Sequence, residues 1–500
     1  MSNARSSRDA RTSERPIRVS VRVLLATLVV AGASLGVSSR AAASGPGEVI
    51  ETETLENGLD VIAITDRSLP IVTVEIAVRH GAFAETPEFD GLSHLYEHMF
   101  FKGNAEIPDQ KAYLKRIKEL GIVFNGSTST ERVNYFYTLP RENLRKGLEF
   151  MNHAIRSPKF EERQFAKEKK IVLSEYDRAE SQPTYSFDRQ LQRLLWYEYP
   201  SRKIILGSRK AIANATVEQM KTIQRRFYVP NNAALLIAGD VSPDRAFELA
   251  EQIYGDWQRG PAPFDEDPVP EHPELDQKKF LVQEGDVEVP TVEFRWQGPS
   301  VDENPRATYA ADVLSFILSQ SNSKFQKALV DSNIALNADL SYYTQKHTGP
   351  ISASVEVPAN NIEKAVKTLL RELHKLDDPG YYSDRQLENA KTILEARDIY
   401  GREKTSSFAH TVSFWWAVDG VDYYMNYVDR LKKVTRQDIA DYVSKYILGE
   451  PYVLGAILNA KANDELELAE RDLAELVRGV EDELGAEEDG SDGSSSGDES

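Results

Sequence analysis

The chain has 500 residues, of which 79 are acidic and 60 basic, giving a formal net charge of −19, and it contains no cysteine. That length exceeds what one hydrophobic core usually organises, so two or more domains are expected. The missing cysteine excludes disulfides, thiolate metal ligands and a cysteine nucleophile, and the acidic balance argues against nucleic-acid binding by bulk electrostatics.

Six arginines from Arg5 to Arg22 precede the apolar run Val23 to Val37 and then Ala41, Ala42 and Ala43. This is the pattern of a secretory signal cleaved near Ala43, and the run is short for a membrane-spanning helix. Export is therefore expected, to the periplasm first and to the medium as the alternative. A protein without cysteine suits a compartment where disulfides are allowed but not required.

Thr73-Val74-Glu75-Ile76 opens an alternating strand. Beyond it comes the most informative stretch, the pentad His94-Leu95-Tyr96-Glu97-His98, preceded by Gly91, Leu92 and Ser93 and followed by Met99, Phe100 and Phe101. Histidines at i and i+4 leave a helix on one face about a turn apart, so both imidazoles can reach one metal ion, and Glu97 shares that face. Ser93 is the expected N-cap. Glu175 follows His98 by 77 residues and would complete a set of two imidazoles and one carboxylate. Such a set leaves a zinc ion one open position for water, beside a carboxylate free to take that water's proton.

The run Phe124 to Ser129, containing Asn125, Gly126, Ser127 and Thr128, is followed by Val133 to Leu139; together they form an expected strand pair near the site. Residues 161–176 have strong helical character, and Glu168 and Glu175 lie seven residues apart within them, on one helical face. A helix beginning at Thr216 then leads through Tyr228 to the apolar strand Ala233 to Ala238.

The proline-rich acidic region 259–276 is the expected linker. After it the pattern repeats. Thr291-Val292-Glu293-Phe294 lies 218 residues beyond Thr73 to Ile76, and a helix from Thr435 followed by the strand Tyr452 to Leu458 lies 219 residues beyond its counterpart at Thr216. Two pairs at nearly one offset predict a duplicated α+β unit. The copy has no pentad, because Asp312 to Phe316 stands in its place. Residues 461–500 hold 15 acidic and 3 basic side chains, a net −12. Leu466, Leu473 and Val480 recur every seven residues, with Leu476 and Leu484 alongside, which predicts an amphipathic helix, and Gly485 to Ser500 is expected to be disordered. The expected division is a signal peptide at 1–43, a metal-binding domain at 44–258, a linker at 259–276, a metal-free copy at 277–460 and an acidic helix and tail at 461–500.

With these motifs assembled, the chain resembles the pitrilysin and insulinase family of zinc peptidases, in particular the short branch that includes mitochondrial processing peptidase and bacterial relatives. The likeness spans about residues 48–460. It rests on Gly91 to Gly103, on Glu168 to Glu175, and on Tyr228-Val229-Pro230-Asn231-Asn232 leading to Gly239-Asp240-Val241. The resemblance implies two tandem homologous domains, each a largely antiparallel sheet packed with helices, forming a clam-like half chamber. It implies one Zn2+ per chain held by His94, His98 and Glu175, with Glu97 as general base; Glu168, on the helical face of Glu175, can then serve as a carboxylate orienting a ligand histidine. Asn125, Gly126, Ser127 and Thr128 would lie on an edge strand to which an extended peptide or unfolded protein adds as a further strand. The match breaks where active relatives carry an Arg and a Tyr seven residues apart in the second half, since Val330 and Asn337 stand there. A second family subunit carrying that pair is the expected partner, with a homodimer as the other assembly. Lys324, Tyr342 and Tyr343 are the substitutes available within the chain. Of a different class is an exported zinc-binding scaffold without useful turnover.

Overall fold

A computed structural model describes residues 49–492, so the expected signal segment lies outside the described residues. The first sheet contains β1 (Val49–Thr54), β2 (Asp60–Thr65), β3 (Ile71–Val78), β4 (Val123–Thr128), β5 (Val133–Pro140) and β6 (Ala233–Gly239), in the order β1-β2-β6-β3-β5-β4. The second contains β7 (Lys279–Glu284), β8 (Thr291–Gln297), β9 (Asn337–Tyr342), β10 (Pro350–Glu356) and β11 (Val453–Leu458), in the order β7-β11-β8-β10-β9. Apart from β1 the two orders are the same, and each sheet has one parallel pair at the same place, β2 with β6 and β7 with β11. The other ladders are antiparallel. The duplication extends to capping chemistry: Thr216 and Thr435 both close capping boxes, at the heads of helices Val217–Phe227 and Arg436–Tyr446.

One face of each sheet packs on its own half's helices and forms a separate core. The other face is covered by a helix from the opposite half. Phe408, Val412 and Trp416 of helix Thr405–Val418 lie on Ile62, Ala234 and Leu236 of the first sheet. Phe187, Leu191 and Leu195 of helix Pro183–Leu195 lie on Leu281, Val453 and Ile457 of the second. This exchange corrects the reading of β3 as an alternating strand: Val72 to Val78 are buried without a break, because both faces of the sheet are roofed. It also means that neither half buries its sheet by itself.

The acidic C-terminal segment differs from expectation. The chain turns at Glu467, whose φ is 47°, so Leu466 closes the short helix Ala460–Leu466 and is exposed. Helix Glu470–Asp492 then buries Leu473, Val477 and Val480 in the second core, with Lys278 paired to Glu481. It therefore belongs to the second half, and it continues through Gly485 to Asp492 where disorder was expected. The linker carries a helical turn at Pro263–Glu266 and anchors itself through buried Leu275. No helix among the described residues is long and apolar enough to cross a membrane.

Candidate metal centre

The pentad occupies helix Leu92–Phe100, whose buried side, Leu95, Tyr96, Met99 and Phe100, fixes its rotation. The apolar positions thus turn His94, Glu97 and His98 together toward the opposite, less buried side. Ser93 is not the N-cap: Gly91 takes that place at φ 88°, and a Cβ there would come within 2.7 Å of the Leu206 carbonyl oxygen. Capping falls to Glu85, whose buried carboxylate accepts from the Gly91 and Ser93 amides, both at 2.7 Å. The Ser93 hydroxyl turns instead to His80 Nε2, at 3.0 Å. Glu85 carries no local sequence signal, because it acts from outside the helix.

Glu168 and Glu175 lie on helix Glu162–Glu180, which packs along the pentad helix. Glu175 Oε2 is 3.4 Å from His98 Nε2 and 3.7 Å from His94 Nε2. One ligand atom from each of the three residues lies within 4.8 Å of the others, and this is the one such group of His and carboxylate side chains among the described residues. The donor set fits zinc. Burial and the neighbouring His98 push His94 down to about 4, so its imidazole is neutral and offers a lone pair. Two imidazoles and a carboxylate oxygen converge there, all three side chains partly exposed. Zinc is the cofactor this centre is built for.

Behind the centre, Glu168 is almost fully buried and sets Oε2 3.4 Å from His98 Nδ1, the nitrogen turned away from Glu175. Its other oxygen is held by Lys102 at 3.0 Å and Gln164 at 2.8 Å. Lys102 lies just beyond the end of helix Leu92–Phe100, so helical spacing does not single it out and only its contact with Glu168 does.

Glu97 faces the edge strand. β4 is the last strand of its sheet, and its inward residues Phe124, Gly126 and Thr128 alternate with the exposed Asn125 and Ser127. Thr128 Oγ1 donates to Glu97 Oε2 at 2.7 Å. A Cβ on Gly126 would stand 3.2 Å from each of Glu97 Cγ, Phe101 Cε2 and Tyr135 Cδ1, so glycine is what lets the strand approach the carboxylate. Burial pushes the Glu97 carboxyl up and Glu175 adds to this, while Thr128 and His98 pull it back. The structure thus brings Gly126 and Thr128 to the centre and leaves Asn125 and Ser127 on the outer face.

In the second half, Asp312 is half-buried and accepts from the Tyr427 hydroxyl at 2.6 Å, so the position matching His94 is tied to a neighbouring helix of its own half. Val330 is half-buried against the second core, and Asn337 is exposed at the head of β9. The substitutes are engaged elsewhere: Lys324 donates to the Gly380 carbonyl at 2.9 Å, Tyr342 to the Pro299 carbonyl at 2.8 Å, and Tyr343 packs near Phe414.

Comparison with known proteins follows the same division. The family described as Insulinase (Peptidase family M16) matches residues 60–209, and the one described as Peptidase M16 inactive domain matches residues 214–394. The chain belongs to the M16 peptidase family. Among M16 relatives, it is 26% identical over 403 residues to the zinc protease PqqE of Helicobacter pylori, covering 78% of this chain and 88% of that protein. It is 24% identical over 442 residues to the mitochondrial-processing peptidase subunit beta of Neurospora crassa, covering 83% and 89%. A solved structure of a protease from Helicobacter pylori superposes with a TM-score of 0.72 at 22% identity, covering 82% of this chain and all of that one. Pitrilysin superposes at 0.71 with 13% identity, covering 83% of this chain and 45% of its own. The M16 fold, with two like halves, is therefore the fold of this chain.

Proposed function

We propose that this M16 protein is the zinc-bearing subunit of an exported endopeptidase that cuts peptides or unfolded polypeptides in extended conformation. The observation that carries the reading is the contact of Thr128 with Glu97: a strand with a free edge ends against a carboxylate that stands beside three convergent ligand atoms. When bound at His94, His98 and Glu175, zinc would polarise the scissile carbonyl and acidify its water. The chain's own residues do the rest. The free edge of β4 supplies backbone donors and acceptors to the peptide main chain, which makes recognition tolerant of sequence. Glu97 takes the proton of the attacking water on a carboxylate oxygen and returns it to the leaving amine nitrogen. Thr128 fixes the rotamer of Glu97, and Glu168 fixes the ring of His98.

A family partner supplies the Arg and Tyr that positions 330 and 337 lack, completing the stabilisation of the developing oxyanion. A relative named as a subunit, the processing peptidase beta chain, supports a paired assembly, with a homodimer as the other arrangement. The N-terminal arginines, apolar run and alanines support export, to the periplasm in a cell with an outer membrane. A scaffold that binds zinc and peptide without turnover is the competing reading, favoured by Val330 and Asn337.

The test is cleavage of an internally quenched, unstructured peptide by zinc-loaded residues 44–500, with a chelator control and the Glu97→Gln variant. Chelator-sensitive cleavage lost in Glu97→Gln supports the peptidase and removes the need for a partner. Silence of the chain alone, relieved by a co-purifying family subunit, supports the divided enzyme. Silence with both partners present leaves the scaffold.

A further inference from the structure

Resting on the reading of β4 as the substrate strand, we propose that the metal-free second half positions that strand through a two-residue clamp, Glu131 and Arg132, at the β4–β5 turn. These residues follow Thr128, the strand's contact with Glu97, by three and four positions. The turn itself is tight, with the Ser129 amide bonded to the Arg132 carbonyl at 2.8 Å and its hydroxyl to the same oxygen at 3.0 Å. The first half holds the turn through its backbone, the Phe83 amide donating to the Thr130 carbonyl at 2.9 Å, but the side chains of Glu131 and Arg132 find their partners more than 200 residues away. Glu131, 4% exposed, accepts from the backbone amides of Lys346 at 2.7 Å and His347 at 3.1 Å. The loop that provides those amides is itself pinned by buried Lys203, whose ammonium donates to Gln345 and to the Thr348 carbonyl. Arg132 reaches the other way, donating at 2.6 Å to both the His410 carbonyl and the Ser413 hydroxyl of the exchanged helix Thr405–Val418.

A second tie runs beneath the strand. Ser127 Oγ donates to Asn134 Oδ1 at 2.6 Å, and Asn134 Nδ2 donates to Glu75 Oε1 at 2.7 Å. Glu75, wholly buried on β3, also receives His410 Nδ1 and Ser413 Oγ. The outer residue of β4 is thus linked through β5 and β3 to the same exchanged helix that Arg132 grips. Buried Glu131 and Glu75 and half-buried Arg132 each meet a donor or acceptor of fixed direction, so the strand cannot slide without leaving a charge unpaired. None of these ties touches His94, His98 or Glu175, so loosening the clamp should disturb peptide alignment while sparing metal binding. Glu131 and Arg132 are positioning residues.

The test uses the full zinc-loaded chain in the Glu97→Gln background, so that peptide binds without being cut. Glu131→Gln sets an amide against two backbone donors, Arg132→Met removes the fork, and Arg132→Lys keeps the charge for partial rescue. Ser127→Ala, at an exposed position, is the milder variant should the others fail to fold. Each clamp variant is expected to raise amide exchange across residues 123–129 about tenfold and to weaken binding of an unstructured peptide by a similar factor, the loss of one buried hydrogen bond. Exchange in residues 92–100 and zinc affinity should stay within twofold. Unchanged exchange in 123–129, or a rise spread evenly over the chain together with weaker zinc binding, overturns the clamp. If the parent chain alone binds no peptide, selective loosening of 123–129 still supports the clamp, while β4 as a self-sufficient substrate strand falls.

Discussion

Replacing Glu168 with glutamine tests whether the carboxylate behind His98 serves the metal or merely fills space. Burial raises this carboxyl, but His98 and Lys102 outweigh it and hold the group below its ordinary range, so the native charge is negative. Glutamine keeps the shape and loses the charge. Lys102, 12% exposed, would then face a neutral amide, and a charge-assisted hydrogen bond of this kind contributes about 1.5–3 kcal/mol. The metal-free variant should therefore unfold at lower urea concentration by about that free energy. Zinc should bind about 10- to 100-fold more weakly, because the carboxylate at 3.4 Å from His98 Nδ1 no longer orients the ring or raises its basicity. Lys102→Met separates the two effects. It costs comparable stability by leaving buried Glu168 without its cation, yet it keeps the carboxylate beside His98, so zinc affinity should fall no more than about threefold. Competition against a chromophoric chelator, read beside urea unfolding of the metal-free proteins, measures both quantities. Zinc affinity in Glu168→Gln within twofold of the parent, with native circular dichroism, would refute the role assigned to Glu168.

Glu97→Gln should retain zinc and lose cleavage by about 10²- to 10⁴-fold in kcat, the usual contribution of a positioned base; near-normal turnover would remove Glu97 from the chemistry. Gly126→Val should lower activity through the strand rather than the metal, because even the Cβ stands 3.2 Å from Glu97 Cγ; equal peptide affinity in variant and parent counts against a close strand. Acid should destabilise the metal-free chain through His80, which burial and Arg226 hold down to about 3. Its folded pKa lies below the unfolded value of about 6.5, so its contribution is complete above that pH and is lost as pH falls toward 3, with a slope of about 1.4 kcal/mol per pH unit. His80→Asn should flatten the urea midpoint against pH between 6 and 4, and parallel curves for variant and parent would exclude His80 as the source.

The duplication, the pentad face and the step from Glu168 to Glu175 were legible because each is written in local spacing. An i, i+4 pair or a seven-residue step selects one side of a helix wherever that helix packs, and the 218-residue offset repeats whole elements. The edge position of β4 was legible only through the resemblance, since periodicity places a residue on a strand but does not order strands in a sheet.

Where the sequence misled, a distant partner or a local backbone turn had overridden the pattern. β3 lost its alternation because helix Thr405–Val418 covers its second face, and the seven-residue leucine series was cut at Glu467 by a left-handed turn. Ser93 yielded the cap to Glu85, which acts from outside the helix. By itself the sequence determined which side chains could share a metal ion. The tertiary structure decided what holds them and the strand beside them, because Glu131 meets Lys346 across 215 positions and Glu75 meets His410 across 335, separations at which spacing carries no information about distance.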